Sequence, residues 1–414
     1  MNKHPTLWIK ENKGISLKGK TVVLAVTGSI AAVRTIELSR ELIRRGADVY
    51  AVTTPAAERI IHPDALHYAT GNEVIRDITG KVEHVQFCGM NGCADLLVIA
   101  PATANTISKI AAGIDDTPVT TFATTAIGSG ISVMLVPAMH ESMYCHPAIV
   151  DNLDKLRLWG VTIIGPQMEE GIAKIVSNEM IVLNAERILG PDTLSGKRIL
   201  ITSGTTAEFL DPIRILTTFA SGKTGIEIAL EAFRRGADVT IVHMNRLGFE
   251  GIKEILVQTS QQMTDAVMEE LDREEYDMLI SAAAISDFTV DMSPEKIKSA
   301  DNIIIKMKPA VKLIDRVRQS FPDLAIAGFK AETGLSAEQL LSRAWDRMDQ
   351  SKLDLIVAND VLERGMGTED NEVYIMSDKR DVKKVSGLKR TIASSLLDEV
   401  EKCFQQRDDL SEGN

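Results

Sequence analysis

The sequence predicts an α/β protein built from two doubly wound domains. Three observations predict it. Residues 19–26 form an apolar run of strand length, followed by the small turn Thr27-Gly28-Ser29 and a helical stretch to about Arg45. The same order returns at residues 196–201, with Thr202-Ser203-Gly204 as the turn and a helix from about Thr224 to Arg235. The two helix exits then agree letter for letter: Arg44-Arg45-Gly46-Ala47-Asp48-Val49 and Arg234-Arg235-Gly236-Ala237-Asp238-Val239. In each, basic residues suit the negative end of a helix and glycine suits its left-handed cap. Two βαβ starts imply two parallel sheets with helices on both faces.

The other elements follow in order. Asp48 to Thr53 and Asp238 to His243 read as the second strand of each domain. Apolar runs of strand length lie at 96–100, 133–136, 161–164, 278–282, 324–327 and 354–358. Leu189-Gly190-Pro191-Asp192 breaks helix and sheet alike, which divides the chain into 1–190 and 191–414. The tail after Gln405 is polar and is expected to fray.

The chain has 414 residues, enough for two or three domains at roughly 150 residues each. With 44% apolar and 25% charged residues, it can bury ordinary cores. A net charge of −12 argues against nucleic acid and anionic membranes as partners. Cys88, Cys93, Cys145 and Cys403 have neither zinc nor disulfide spacing. Reduced thiols, a polar N-terminus and no uninterrupted apolar span predict a cytoplasmic protein.

In parallel sheets ligands bind at the carboxyl ends of strands, so the segments found there carry the functional reading. In the first half these are Thr27 to Ala32, the run Pro101-Ala102-Thr103-Ala104-Asn105-Thr106, and Pro137-Ala138-Met139-His140-Glu141-Ser142-Met143; His84 stands upstream. Singly they read as a phosphate-tolerant turn, a helix cap, a loop and a structural histidine. In the second half they are Ala220-Ser221-Gly222-Lys223-Thr224-Gly225, Ser281 to Phe288, the lysine-bearing loop Pro294-Glu295-Lys296-Ile297-Lys298, Gly328-Phe329-Lys330 and Ala358-Asn359-Asp360. Ser221 to Thr224 ends like a P-loop but lacks its upstream glycine, since position 217 is Thr. Amides and a cation at a helix start still suit phosphate.

Taken together, residues 18–185 resemble the homo-oligomeric flavin-containing cysteine decarboxylases, and residues 194–400 resemble phosphopantothenate–cysteine ligases. The fold so implied is Rossmann-like in both halves. The first resemblance rests on residues 101–106 and 137–143 with His84. It implies FMN held by Gly28, Ser29, Ile30, Thr53, Thr103 and Asn105. It also implies oxidative decarboxylation of 4′-phosphopantothenoylcysteine, in which the flavin does the redox work. His84 would be the base, since an imidazole can take and return a proton near neutral pH. His140 stands where the family has Asn, and is expected to hold the substrate carboxylate in its place. The family's lid cysteine has no counterpart near Gly171 to Ile175.

The second resemblance implies activation of 4′-phosphopantothenate by a nucleoside triphosphate, CTP before ATP, with Mg²⁺ on the triphosphate and cysteine as acceptor. Nucleotide contacts fall to Ser221, Gly222, Lys223, Asp287, Lys296, Phe329, Arg347 and Lys352. Lys296 would neutralise phosphate charge, and Thr218 stands where an Asn polarises the activated carbonyl. The metal ligands stay unknown. The whole implies a bifunctional enzyme of coenzyme A biosynthesis. It would be a homo-oligomer with trimeric decarboxylase and dimeric ligase contacts, up to a dodecamer. Two alternatives stay open: a ligase with an FMN-binding but non-decarboxylating first domain, and a non-catalytic flavoprotein subunit.

Overall fold

The computed structural model describes residues 4–169, 172–298, 304–362, 367–377 and 381–412. The chain divides into two compact units, residues 1–191 and 192–414.

In the first unit five parallel strands lie in the spatial order Asp48–Thr53, Thr21–Val26, Leu96–Ala102, Ser132–Pro137, Thr162–Ile163. In chain order this is 2-1-3-4-5, the arrangement of a doubly wound sheet whose switch point lies between strands 1 and 3. Every residue of the third strand is buried, as expected of a central strand covered on both faces. Phe122, Leu97, Ile99 and Ile107 fill the core on one of those faces. A three-stranded antiparallel sheet, Met139–His140, Ile172–Lys174 and Gln167–Glu169, lies beside it in the chain's topology.

In the second unit the eight-stranded sheet runs Ile252–Leu256, Asp238–His243, Arg198–Thr202, Met278–Ser281, Ala325–Glu332, Leu355–Asp360, Asp370–Met376, Val382–Leu388. The first six are parallel and read 3-2-1-4-5-6 in chain order. The last two are antiparallel additions. This is the Rossmann order, and its switch point lies between Arg198–Thr202 and Met278–Ser281. Both halves are therefore the doubly wound α/β folds that the sequence predicts.

Three local readings change. The helix expected straight after Ser29 begins as a 3-10 turn, Ile30–Arg34, and becomes α-helical only at Thr35–Arg44. The run at 161–164 supplies only the two-residue edge strand Thr162–Ile163. The tail expected to fray after Gln405 continues as helix, Lys389–Glu412. Tertiary contacts override its polar composition: Phe404 is buried, and the Arg407 guanidinium reaches the Asp354 carboxylate at 2.5 Å and the Asp323 carbonyl at 2.7 Å.

Candidate active sites at the two switch points

In the first unit the turn after Val26 meets the turn after Ala102. The Thr27 hydroxyl donates to the Pro101 carbonyl at 2.6 Å and accepts from the Thr103 amide at 3.1 Å. One buried hydroxyl thus ties together the carboxyl ends of strands 1 and 3. Gly28 packs so closely that a Cβ there would sit 2.6 Å from the Ala56 Cβ, so the backbone must stay bare. Thr103 caps the helix Ala104–Ala112 by accepting from the Thr106 amide, which leaves Asn105 exposed in the first turn. Ser29 makes no side-chain cap, and Ile30 is exposed. Thr53 differs from these: it is fully buried, and its hydroxyl donates to Glu58 at 2.9 Å.

His84 lies in the short helix Glu83–Cys88. Val82, just before that helix, has φ 49° and ψ 52°, a left-handed conformation that is costly for a β-branched residue. The His84 Nδ1 is buried with no hydrogen-bond partner among the described residues. A buried imidazole nitrogen left open in this way is disfavoured unless a ligand or water completes it. His140 is exposed and lies opposite Ile172 in an antiparallel pairing. The strand Ile172–Lys174, in the stretch where the sequence expects a lid, therefore lies against His140; Gly171 itself falls outside the described residues.

The second switch point carries a cavity of about 450 Å³, within the usual range for small-molecule sites. Ser221, Gly222, Lys223, Asp287, Phe329 and Arg347 all line it. Two backbone approaches shape its floor. Gly222 has φ +75°, and a Cβ there would lie 2.9 Å from the Gly204 Cα; a Cβ on Gly225 would lie 2.6 Å from the Ser203 Cβ. The Ser203 hydroxyl also donates to the Gly222 carbonyl at 3.0 Å. Asp287 pairs with Lys312, and Arg347 reaches Asp315 at 3.2 Å.

Three predicted residues do not line this cavity. Lys296 is exposed on a loop fixed from behind by Asp211. The Asp211 carboxylate accepts from the amides of Ile213, Arg214 and Ile297, and the Arg214 guanidinium donates to the Ile297 carbonyl at 3.0 Å. Burial would raise the Asp211 carboxyl, but these amides and Arg214 hold it down at about 2. Thr218 is partly buried, its hydroxyl 2.7 Å from that of Thr205. Lys352 is the exposed left-handed cap of the helix Ala337–Ser351, and its carbonyl accepts from Arg318 at 2.7 Å.

Asn359, Asn371 and Lys389 also line the cavity; Asn359 belongs to a segment that the sequence singles out, whereas Asn371 and Lys389 belong to none. The overlooked signal for Lys389 was charge. A helix that begins Lys389-Arg390, with no acid in its first turn, opposes its own dipole.

A family model for flavoproteins matches residues 10–189, and one described as the DNA/pantothenate metabolism flavoprotein C-terminal domain matches residues 194–404. The chain is 46% identical over 402 residues to the coenzyme A biosynthesis bifunctional protein CoaBC of Thermococcus kodakarensis, covering 96% of this chain and 99% of that one. The chain belongs to this family. It is 39% identical over 404 residues to the member from Methanocaldococcus jannaschii, covering 96% and 98%. A solved C-terminal domain of a CoaBC protein matches with 27% identity and a TM-score of 0.44, covering 52% of this chain and 99% of that one. The chain is thus a bifunctional enzyme of coenzyme A biosynthesis, a decarboxylase joined to a ligase. Its first half is a flavoprotein domain. Among the described residues no helix is long and apolar enough to cross a membrane.

Proposed function

We propose that the second unit condenses 4′-phosphopantothenate with cysteine at the expense of CTP, and that the first unit decarboxylates the product with FMN. The observation that supports the reading is the cavity at the second switch point, lined by Ser221, Gly222, Lys223, Asp287, Phe329 and Arg347, together with the joined Thr27 and Thr103 turns at the first, in one chain that belongs to this family.

In the ligase, the substrate carboxylate attacks the α-phosphorus, the bond to the pyrophosphate oxygen breaks, and an acyl-nucleotide forms. The cysteine amine then attacks the acyl carbon and the nucleoside monophosphate leaves. The bare backbone around Gly222 and Gly225 lets amides approach phosphate. Lys223 and Lys296 oppose the developing charge, and Asp287, Phe329 and Arg347 hold the nucleotide. Thr218 donates its hydroxyl toward the activated carbonyl. Lys352, like Lys296 and Thr218, lies outside the cavity lining and would act on the nucleotide from beyond it. Mg²⁺ accompanies the triphosphate.

In the decarboxylase, the bare approach at Gly28 and the open His84 Nδ1 fit a bound flavin and its substrate. Gly28, Ser29, Ile30, Thr103 and Asn105 hold the FMN; Thr53, its hydroxyl engaged by Glu58, supports the strand end from within. FMN, when bound, supplies two-electron redox chemistry. His84 moves a proton at the substrate thiol or carboxylate, and His140 donates a hydrogen bond to that carboxylate. Trimeric contacts of the first unit and dimeric contacts of the second belong to the same proposal.

The test is the absorbance spectrum of the purified protein, then product analysis with phosphopantothenate, cysteine, Mg²⁺ and CTP or ATP. A yellow protein that releases CO₂ and forms phosphopantetheine supports both halves. A yellow protein that stops at phosphopantothenoylcysteine keeps the ligase and removes the decarboxylase.

A further inference from the structure

Lys389 is a buried amine in the ligase cavity. It is 4% exposed, yet it contributes to the wall that also carries Ser221, Gly222 and Lys223. No carboxylate among the described residues lies within ion-pair distance of its Nζ. Its backbone amide is satisfied, donating to the Glu369 carbonyl at 3.2 Å. Burial depresses its basicity, and the neighbouring Lys223 adds to the effect.

Each of these two lysines is the first residue of a helix, Lys389 of Lys389–Glu412 and Lys223 of Lys223–Arg234. A cation there faces the positive end of the helix dipole. Two such cations share one cavity, and the buried one makes no direct ion pair among the described residues, feeling only the longer-range pull of Glu369 and Asp370. This arrangement is unfavourable for the empty protein and favourable only when an anion enters. Lys223 already shows what kind of group belongs there: it pairs with the Glu369 carboxylate, which is three-quarters exposed. A charged oxygen from solvent can replace that carboxylate.

We infer that Lys389 and Lys223 together form the seat of the β- and γ-phosphates of the nucleotide, with Lys389 as the fixed inner cation and Lys223 exchanging Glu369 for phosphate. This rests on the ligase reading above. It adds a residue that the motifs do not contain, and it gives the departing pyrophosphate its own binding site. Lys389 acts on the leaving side: as the α-phosphorus–oxygen bond breaks, its electron pair stays with pyrophosphate, next to two ammonium groups.

The test uses the full-length protein, with CTP, CMP and inorganic pyrophosphate as probes in calorimetry at constant Mg²⁺. Lys389→Met is expected to weaken CTP and pyrophosphate binding by about 10- to 100-fold, the size of a lost charge-assisted contact, and to leave CMP within about twofold. Lys389→Arg is expected to keep most of the pyrophosphate affinity, which separates a need for charge from a need for shape. Without ligand, Lys389→Met should melt at or above the wild-type temperature, because it removes an unpaired buried charge. Unchanged CTP and pyrophosphate affinity in a folded Lys389→Met protein overturns the inference. An equal loss of CMP also overturns it, because the residue would then only support the fold. Wild-type protein that binds no CTP, ATP or pyrophosphate removes the ligase reading and this inference together.

Discussion

The sharpest test of the second switch point is Gly225→Ala. Gly225 is buried in the first turn of the helix Lys223–Arg234, where alanine would normally gain about 1 kcal/mol in helix propensity over glycine. The structure predicts the opposite sign. A Cβ at this position would lie 2.5 Å from the Ser203 Oγ, 2.6 Å from the Ser203 Cβ and 3.1 Å from the Ser203 Cα. The hydroxyl could rotate away, but the Cβ and Cα belong to the end of strand 1 and cannot. Overpacking of this kind costs about 1–3 kcal/mol, and the immobile backbone places it in the upper half of that range. Net of propensity, the variant should lose about 1–2 kcal/mol. For a unit of this size that lowers the melting temperature by about 2–8 °C. Nucleotide affinity should also fall, because the two turns that shape the cavity floor must separate. Calorimetric melting with and without CTP checks both effects. Ser203→Gly on the Gly225→Ala background removes both side-chain clashes and should recover most of the loss, whereas Ser203→Ala leaves the Cβ contact and should recover little. A Gly225→Ala protein that melts and binds like wild type, or a rescue by Ser203→Ala equal to that by Ser203→Gly, would refute the packing argument.

Three further outcomes are expected. Burial would raise the Glu41 carboxyl, but hydrogen bonds from Lys13, Arg45 and Arg44 hold it at about 2 against an ordinary 4.5. Its folded pKa lies below its unfolded one, so its contribution is full above pH 4.5 and disappears as the pH falls toward 2. Glu41→Gln should therefore cost on the order of 3 kcal/mol near neutral pH, with the gap to wild type closing across that acid window in melts taken at stepped pH. Asp211→Asn keeps the shape but weakens the acceptor that fixes the Ile297 amide. Ligase turnover should fall roughly 10- to 100-fold through misplacement of Lys296, while decarboxylation of added phosphopantothenoylcysteine stays unchanged. An equal loss in both assays would point to general instability. His140→Asn should retain CO₂ release within about tenfold, whereas His140→Ala should lose about 100-fold, since only the first keeps a donor for the carboxylate; equal rates in the two variants would remove His140 from the site.

The parts of the molecule legible in the sequence share one property: their signal is local. A strand, its exit turn and the following helix occupy adjacent residues, so both sheet starts and most of the cavity wall could be read directly. Ser221 and Asp287 lie in separate loops and Phe329 within the strand Ala325–Glu332, but a switch-point topology brings such positions together. What could not be read is set across the sheet. Thr53 stands at a strand exit like the others, but its hydroxyl is turned inward by Glu58, itself held by Arg76 at 2.6 Å. Lys352 follows the right kind of helix, but as its exposed left-handed cap it is not among the residues that line the cavity. Lys389 directly follows the strand Val382–Leu388, but that strand is an antiparallel addition to the sheet that the apolar runs of the sequence did not mark.

The repeated helix exit shows how much further a local signal can reach than its first explanation. In sequence, Arg44-Arg45-Gly46 and Arg234-Arg235-Gly236 read as basic residues suited to a helix end. In the structure the second arginine of each pair does more. Arg45 binds Glu41 one turn back at 2.7 Å and also Glu186, on the last helix of its unit, at 3.2 Å. Arg235 binds Glu231 one turn back at 3.2 Å and also Glu401, on the last helix of its unit, at 2.8 Å. Each guanidinium therefore fastens the first helix of a doubly wound sheet to the helix that closes it, and its planar fork allows both contacts at once. The first helix is also the one that follows the exit turn of strand 1, in both units. In the second unit, fastening its far end fixes the height at which its near end meets Ser203-Gly204, and hence the bare backbone approach at Gly225. The letter-for-letter repeat thus marks one fastening made twice, in each unit the tie of the first helix to the last.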